Sequence, residues 1–173
     1  MSNAVLTNVI RFIGLLLLQG LILKRIELGG FLGAHLHVFL YPLFIIILPL
    51  RTQRTLVILL GFILGLCIDV FYNSIGVHAS ALIFTAFMRA IVLWMVQPRG
   101  GYNVNFSPTR RRMGMNWFLR YSAIMMGLHL FFYFSVEAFT FVYIVDILLS
   151  TLVSFVVSMI AVFVFQTLFD PLD

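Results

Sequence analysis

The stretch "GFILGLCIDVFYNSIGVHAS", residues 61–80, sets an aspartate near the end of an otherwise apolar run. Gly61, Gly65 and Asp69 recur every four residues, the spacing of a single helix face. A small polar turn follows, Asn73-Ser74-Ile75-Gly76, and His78 then opens the next apolar run. What a carboxylate does there depends on the solvent around it. The 173-residue chain is 62% hydrophobic and 10% charged, with a mean hydropathy of +1.11. Soluble domains carry about 25% charged residues. This composition belongs to a chain that lives in lipid.

A helix needs about 20 apolar residues to cross the hydrocarbon. Six runs meet or approach that length, at about 4–23, 35–50, 55–72, 78–97, 116–137 and 141–169. The first has no A-x-A cleavage site after it and is followed by "KRIE", so it reads as a retained span and not a leader. The second is short and holds Pro42 and Pro49, which predicts a kinked helix. The connections 51–54, 73–77 and 138–140 are short enough to make their flanking helices antiparallel neighbours.

The 11 Lys and Arg outnumber the 6 Asp and Glu, but they cluster between the apolar runs instead of spreading over a soluble face. That pattern is a topology signal and points away from nucleic acid. "RTQR" (51–54) and the linker 98–115, with Arg99, Arg110, Arg111 and Arg112, carry the strongest basic bias, which places them and both termini in the cytoplasm. Trp94 and Trp117 flank the linker, while Tyr72 and Tyr143 stand near the opposite ends, as interfacial belts do. No internal repeat is present. The expectation is one all-α transmembrane domain over 1–173, six helices in a compact bundle, with a basic cytoplasmic linker at 98–115.

In lipid, helices associate through close packing and hydrogen bonds, so the informative positions are small and polar. Gly61 and Gly65 admit a neighbour's backbone. A carboxylate facing acyl chains would cost about 2.5–3.5 kcal/mol, so Asp69 turns toward protein, with Asn73, Ser74 and His78 its nearest candidate partners. His78, Ala81, Thr85 and Arg89 share a face on the next run. Arg89 lies roughly 16 Å deeper than His78, too deep for Asp69, and is expected at headgroups or at carbonyls of a kinked neighbour near Pro42. On the last run Asp146, Ser150, Ser154 and Ser158 form a stripe of period four. The serines serve packing within the chain or form a face for a partner helix. His129 comes within about a turn of Asp146 in depth, a candidate buried pair, while Glu137 sits nearer the surface.

Catalytic and cofactor signatures are missing from the sequence: no H-E-x-x-H, no phosphate loop, no nucleophile elbow and no cysteine cluster. His35 and His37, two apart, would diverge on a helix, so no metal site is expected there. The single Cys67 reads as packing. These residues suggest neither an enzyme nor a cofactor.

Read as G-x-x-x-G-x-x-x-D, a small polar turn and G-x-H-A, the stretch resembles the bacterial rod shape-determining protein MreD family over about residues 61–89, with weaker likeness in "LYPLFIIILPL". Gly61, Gly65, Asp69, Gly76 and His78 carry the motif; the linker with Arg110, Arg111 and Arg112 departs from it. The resemblance implies a fold like the six-helix substrate-binding subunits of energy-coupling vitamin transporters. It implies a non-enzymatic scaffold in the inner membrane, acting in lateral peptidoglycan synthesis. Its partner would be the single-span protein MreC, with MreB filaments, the RodA glycosyltransferase and a class B penicillin-binding protein associated. The triple arginine would meet anionic lipid or a cytoplasmic protein. The alternative expectation is a transporter's substrate-binding subunit, or a pocket for a small molecule or lipid-linked precursor.

Overall fold

The computed structural model describes residues 2–25 and 35–169. Five of its helices are long and apolar enough to cross a membrane. Helix α1 (Ser2–Leu17) continues through a π turn at Leu18–Ile22 and a 3₁₀ turn at Leu23–Arg25. A short α2 (Leu43–Ile47) precedes α3 (Arg54–Tyr72) and α4 (Val77–Met95). The linker contains the single-turn α5 (Arg110–Met113), and α6 (Met115–Ala138) and α7 (Ile144–Leu168) complete the chain. The chain is therefore an all-α protein of membrane-embedded character.

The α3–α4 hairpin is closed by two backbones in contact. A Cβ added at Gly65 would fall 2.3 Å from Ala79 Cα, and one at Gly61 would fall 3.2 Å from Leu82 O. Asn73 ends α3 in a left-handed conformation (φ 54), and Gly76 (φ 83) enters α4 in the region that glycine adopts at least cost. α4 packs on α6 and α6 on α7. α1 runs alongside α3 in the same direction: Gly20 meets the Phe71 ring, and Phe12 and Leu60 approach one groove at the other end. Val9, Ile10 and Ile13 on α1, and Leu152, Val156 and Ile160 on α7, are exposed apolar side chains that acyl chains would cover.

The predicted span at 35–50 departs from expectation. Residues 36–40 belong to no helix, and only Leu43–Ile47 is helical, yet every residue from Val38 to Leu48 is buried. The His37, Phe39 and Tyr41 rings follow one another at 6.0 and 5.8 Å along one side of this segment, as alternate residues of extended chain do. The prolines explain the boundaries. Pro42, lacking an N–H, starts α2, and Leu48, ahead of Pro49, is forced to extended geometry (ψ 143). The five residues 36–40 at an extended rise and the five of α2 cover about 24 Å of the about 30 Å hydrocarbon thickness. The segment starts beside Ser150 of α7, and at its far end Leu50 N–H donates to Phe106 O in the linker. It runs the length of the bundle inside protein, the setting that non-helical backbone needs at membrane depth.

Candidate functional site: the buried polar interior

Extended chain inside a bundle has no ladder of its own, so other elements must supply its partners. Ser154 Oγ accepts from His37 N–H at 2.9 Å and donates to His35 O at 3.1 Å. Ser158 Oγ accepts from Phe39 N–H at 2.9 Å, and Ser150 Oγ meets His35 Nδ1 at 2.9 Å. The periods fit because four helical residues rise about 6.0 Å and two extended residues about 6.6 Å. On the opposite edge stands Gln19, fully buried in the π turn of α1. Its amide nitrogen donates to Val38 O and its oxygen accepts from Leu40 N–H, both at 2.9 Å. That side chain occupies the place of a neighbouring strand's peptide unit. It also donates to the Tyr72 hydroxyl at 2.7 Å.

The serine stripe is thus spent inside the chain, which corrects its reading as a partner-helix face. Asp146, its fourth member, is exposed in the first turn of α7. The predicted His129–Asp146 pair does not form: equal depth on two helices says nothing of the direction in which each side chain points. His129 turns toward α4 instead.

There it joins a buried chain of hydrogen bonds. Tyr41 Oη lies 2.8 Å from both His78 Nδ1 and His129 Nε2, and His129 Nδ1 lies 2.8 Å from Thr85 Oγ1. All four residues are fully buried. Thr85 has one proton and gives it to Ala81 O at 2.7 Å, since a carbonyl only accepts. With neutral rings the rest follows. His129 donates through Nδ1 to Thr85, Tyr41 donates to His129 Nε2, and His78 donates through Nδ1 to Tyr41. His78 Nε2 remains as a buried acceptor with no partner, between the Tyr72 and Tyr133 rings at 4.7 and 4.8 Å.

Asp69 caps the start of α4, whose first N–H groups have no partner within the helix. Oδ1 accepts from Ser74 Oγ and His78 N–H, each at 2.9 Å, and Oδ2 from Gly76 N–H and Ala79 N–H, each at 3.1 Å. The positive end of the helix dipole favours a carboxylate there. Of the expected partners, Ser74 and His78 bond Asp69, the latter through its backbone, and Asn73 shapes the turn. Arg89, buried on the same face of α4 as Thr85, donates to Leu48 O, the carbonyl ahead of Pro49. Glu137 is exposed and accepts from Tyr133 Oη at 3.1 Å.

At the far end the linker folds back on the bundle. Ser107 and Thr109 are buried, Tyr102 Oη donates to Leu93 O at 2.7 Å, and Trp117 Nε1 donates to Val96 O at 2.7 Å. Desolvation by burial, aided by Tyr121, pushes the Tyr102 hydroxyl up to about 12. The Arg112 guanidinium stacks 4.5 Å from the Phe106 ring, Arg110 reaches Thr167 Oγ1 at 3.4 Å, and Arg111 is exposed.

Gln19 and Tyr41 were not singled out from the sequence, although an amide within an apolar run and a tyrosine ahead of Pro42 were visible. His35 and His37 turn to different partners: His35 Nδ1 meets Ser150 Oγ, and the His37 ring packs on Phe39 and Phe134. Among the described residues no three His, Cys, Asp or Glu side chains stand close enough to hold a metal ion. Comparisons of this chain with protein-family models, curated proteins and solved structures find no match.

Proposed function

We propose that the chain is a non-enzymatic membrane scaffold that binds a partner's transmembrane helix, in the manner of the MreD family that the run at about 61–89 resembles. The observation that carries this reading is a groove of about 520 Å³ between α1 and α3. Its walls are Val5, Val9 and Ile13 on α1 and Leu56, Leu60 and Ile63 on α3, over a floor of Phe44 and Leu48. Steps of four residues along α1, and of four and three along α3, make ridges into which another helix's ridges fit. The buried polar groups support the same reading, since the Ser154, Asp69 and Tyr41 networks are engaged with the chain's own backbone and side chains. Interaction is then left to outer surfaces.

On this reading the partner is MreC, and MreB, RodA and a class B penicillin-binding protein join the assembly. The protein sits in the bacterial inner membrane with both termini in the cytoplasm. Photocrosslinkers at Val9 and Leu60 should capture MreC in cells, and one at Leu152 on the far face of α7 should not. If MreC fails to co-purify in any mild detergent, the scaffold reading is lost.

A further inference from the structure

Seven of the ten arginines, Arg51, Arg54, Arg99, Arg110, Arg111, Arg112 and Arg120, lie at the end of the bundle that carries the linker, while Lys24 and Arg25 lie at the other. The described carboxylates, Asp69, Glu137 and Asp146, all lie at the other end. A cavity of about 740 Å³ opens at the basic end, between the last turn of α4 and the first of α6. Its wall is in part apolar and deformable, made by Met95, Met113 and Met115. It also carries three polar side chains, Gln97, Asn116 and Arg120. Arg120 is exposed and makes no hydrogen bond or ion pair among the described residues. The cavity lies at the start of a 24-residue helix, where unpaired N–H groups add positive potential. Trp117 lines it and Trp94, the residue before Met95, is 75% exposed, as tryptophans are at the headgroup level.

An occupant must therefore offer one negative head to Arg120 and an apolar body to the methionines, at the depth where phospholipids present both. We infer that this cavity binds a single anionic glycerophospholipid, its phosphate on Arg120 and its upper acyl carbons against Met95 and Met115. Basic pockets between transmembrane helices hold such headgroups elsewhere. The inference rests on the membrane setting and is independent of the scaffold reading, so failure to bind MreC would leave it standing.

Native mass spectrometry of the full chain in detergent tests it, with phosphatidylglycerol and phosphatidylcholine of the same acyl chains titrated separately. One phosphatidylglycerol should bind at about tenfold lower concentration than phosphatidylcholine, whose choline cation offsets the phosphate charge that Arg120 would meet. Arg120→Ala should abolish that preference. Met115→Trp, which fills the cavity without touching charge, should lose the bound lipid, and Arg111→Ala, outside the cavity, should keep it. Gel filtration confirms that each variant is folded. Equal binding of the two lipids by the unaltered chain overturns the inference, and so does an Arg111→Ala loss as large as that of Arg120→Ala. Binding of hexaglutamate in place of the lipid also overturns it, by making the cavity a site for acidic peptide.

Discussion

The α3–α4 hairpin takes the cap for the N–H groups at the start of α4 from close by: Asp69 reaches His78 and Ala79 across 9 and 10 residues. Residues 37–40, in the run just before, take theirs from far away. Ser154 and Ser158 lie 117 and 119 residues from the groups they bond, and Gln19 lies 19 and 21 residues away. Both regions are apolar, both are buried, and both must pair every backbone polar group in a dry interior. The hairpin does so by helical self-pairing plus one carboxylate. The segment does so with side chains borrowed from α1 and α7. An apolar run of given length therefore does not dictate a helix when polar side chains on neighbours can complete the backbone.

The comparison breaks first at Gly65. A leucine Cβ would stand 2.3 Å from Ala79 Cα and 2.7 Å from Ala79 N, and backbone cannot yield as a side chain can. Gly65→Leu should cost more than about 3 kcal/mol and leave no monodisperse protein by gel filtration. A variant with unaltered melting temperature would mean that α3 and α4 do not touch there. Asp69→Ala should come next, since it strands four donors at once; we expect about 3 kcal/mol or more in detergent unfolding. Asp69→Asn should recover no more than part of this, because its NH₂ group would face at least one backbone N–H, that of His78 on one side or those of Gly76 and Ala79 on the other, which only an acceptor satisfies.

The borrowed pairing is sharpened by Ser154→Ala, expected to cost about 1–3 kcal/mol by leaving His37 N–H without its acceptor. Thr151→Ala, whose hydroxyl bonds only its own helix, should stay within about 0.5 kcal/mol. Combined with Gln19→Leu, Ser154→Ala should be non-additive, since both hold opposite edges of one segment. Additive losses would show that α1 and α7 do not share it. The smallest effect lies in the linker. Tyr102 has its hydroxyl raised from 10 to about 12, so its contribution is complete below about pH 10 and fades as pH rises through about 12. Trp117, whose ring lies 5.8 Å from Tyr102, should report this by fluorescence in the unaltered chain and stay flat in Tyr102→Phe.

The hairpin was legible because its determinants are local. Gly61, Gly65, Asp69, Gly76 and His78 fall within one turn-linked pair of helices, and helical spacing alone puts them on facing sides. The serine stripe was legible as a stripe, but its partner was not. The segment 35–50 was misread although it carried a signal: His35, His37, Phe39 and Tyr41 alternate with Leu36, Val38 and Leu40, a period of two. Hydropathy and length outweighed that alternation, because an unpaired strand in lipid is prohibitive and no second strand was in sight. The partners were side chains, which periodicity does not announce. The His129–Asp146 pairing failed for a related reason, since sequence gives depth along a helix and leaves rotation about it open.

Composition by itself determined that this chain answers to lipid, where its apolar runs lie, and which polar residues turn inward. Those follow from transfer free energies, which each residue carries with it. The tertiary structure alone decided that the buried segment before Pro42 is not helical, that Ser150, Ser154, Ser158 and Gln19 complete it, and that Tyr41 links His78 to His129. Hydrogen bonds are directional and need a particular partner within about 3 Å. Only the packed chain shows which of its distant groups arrive there.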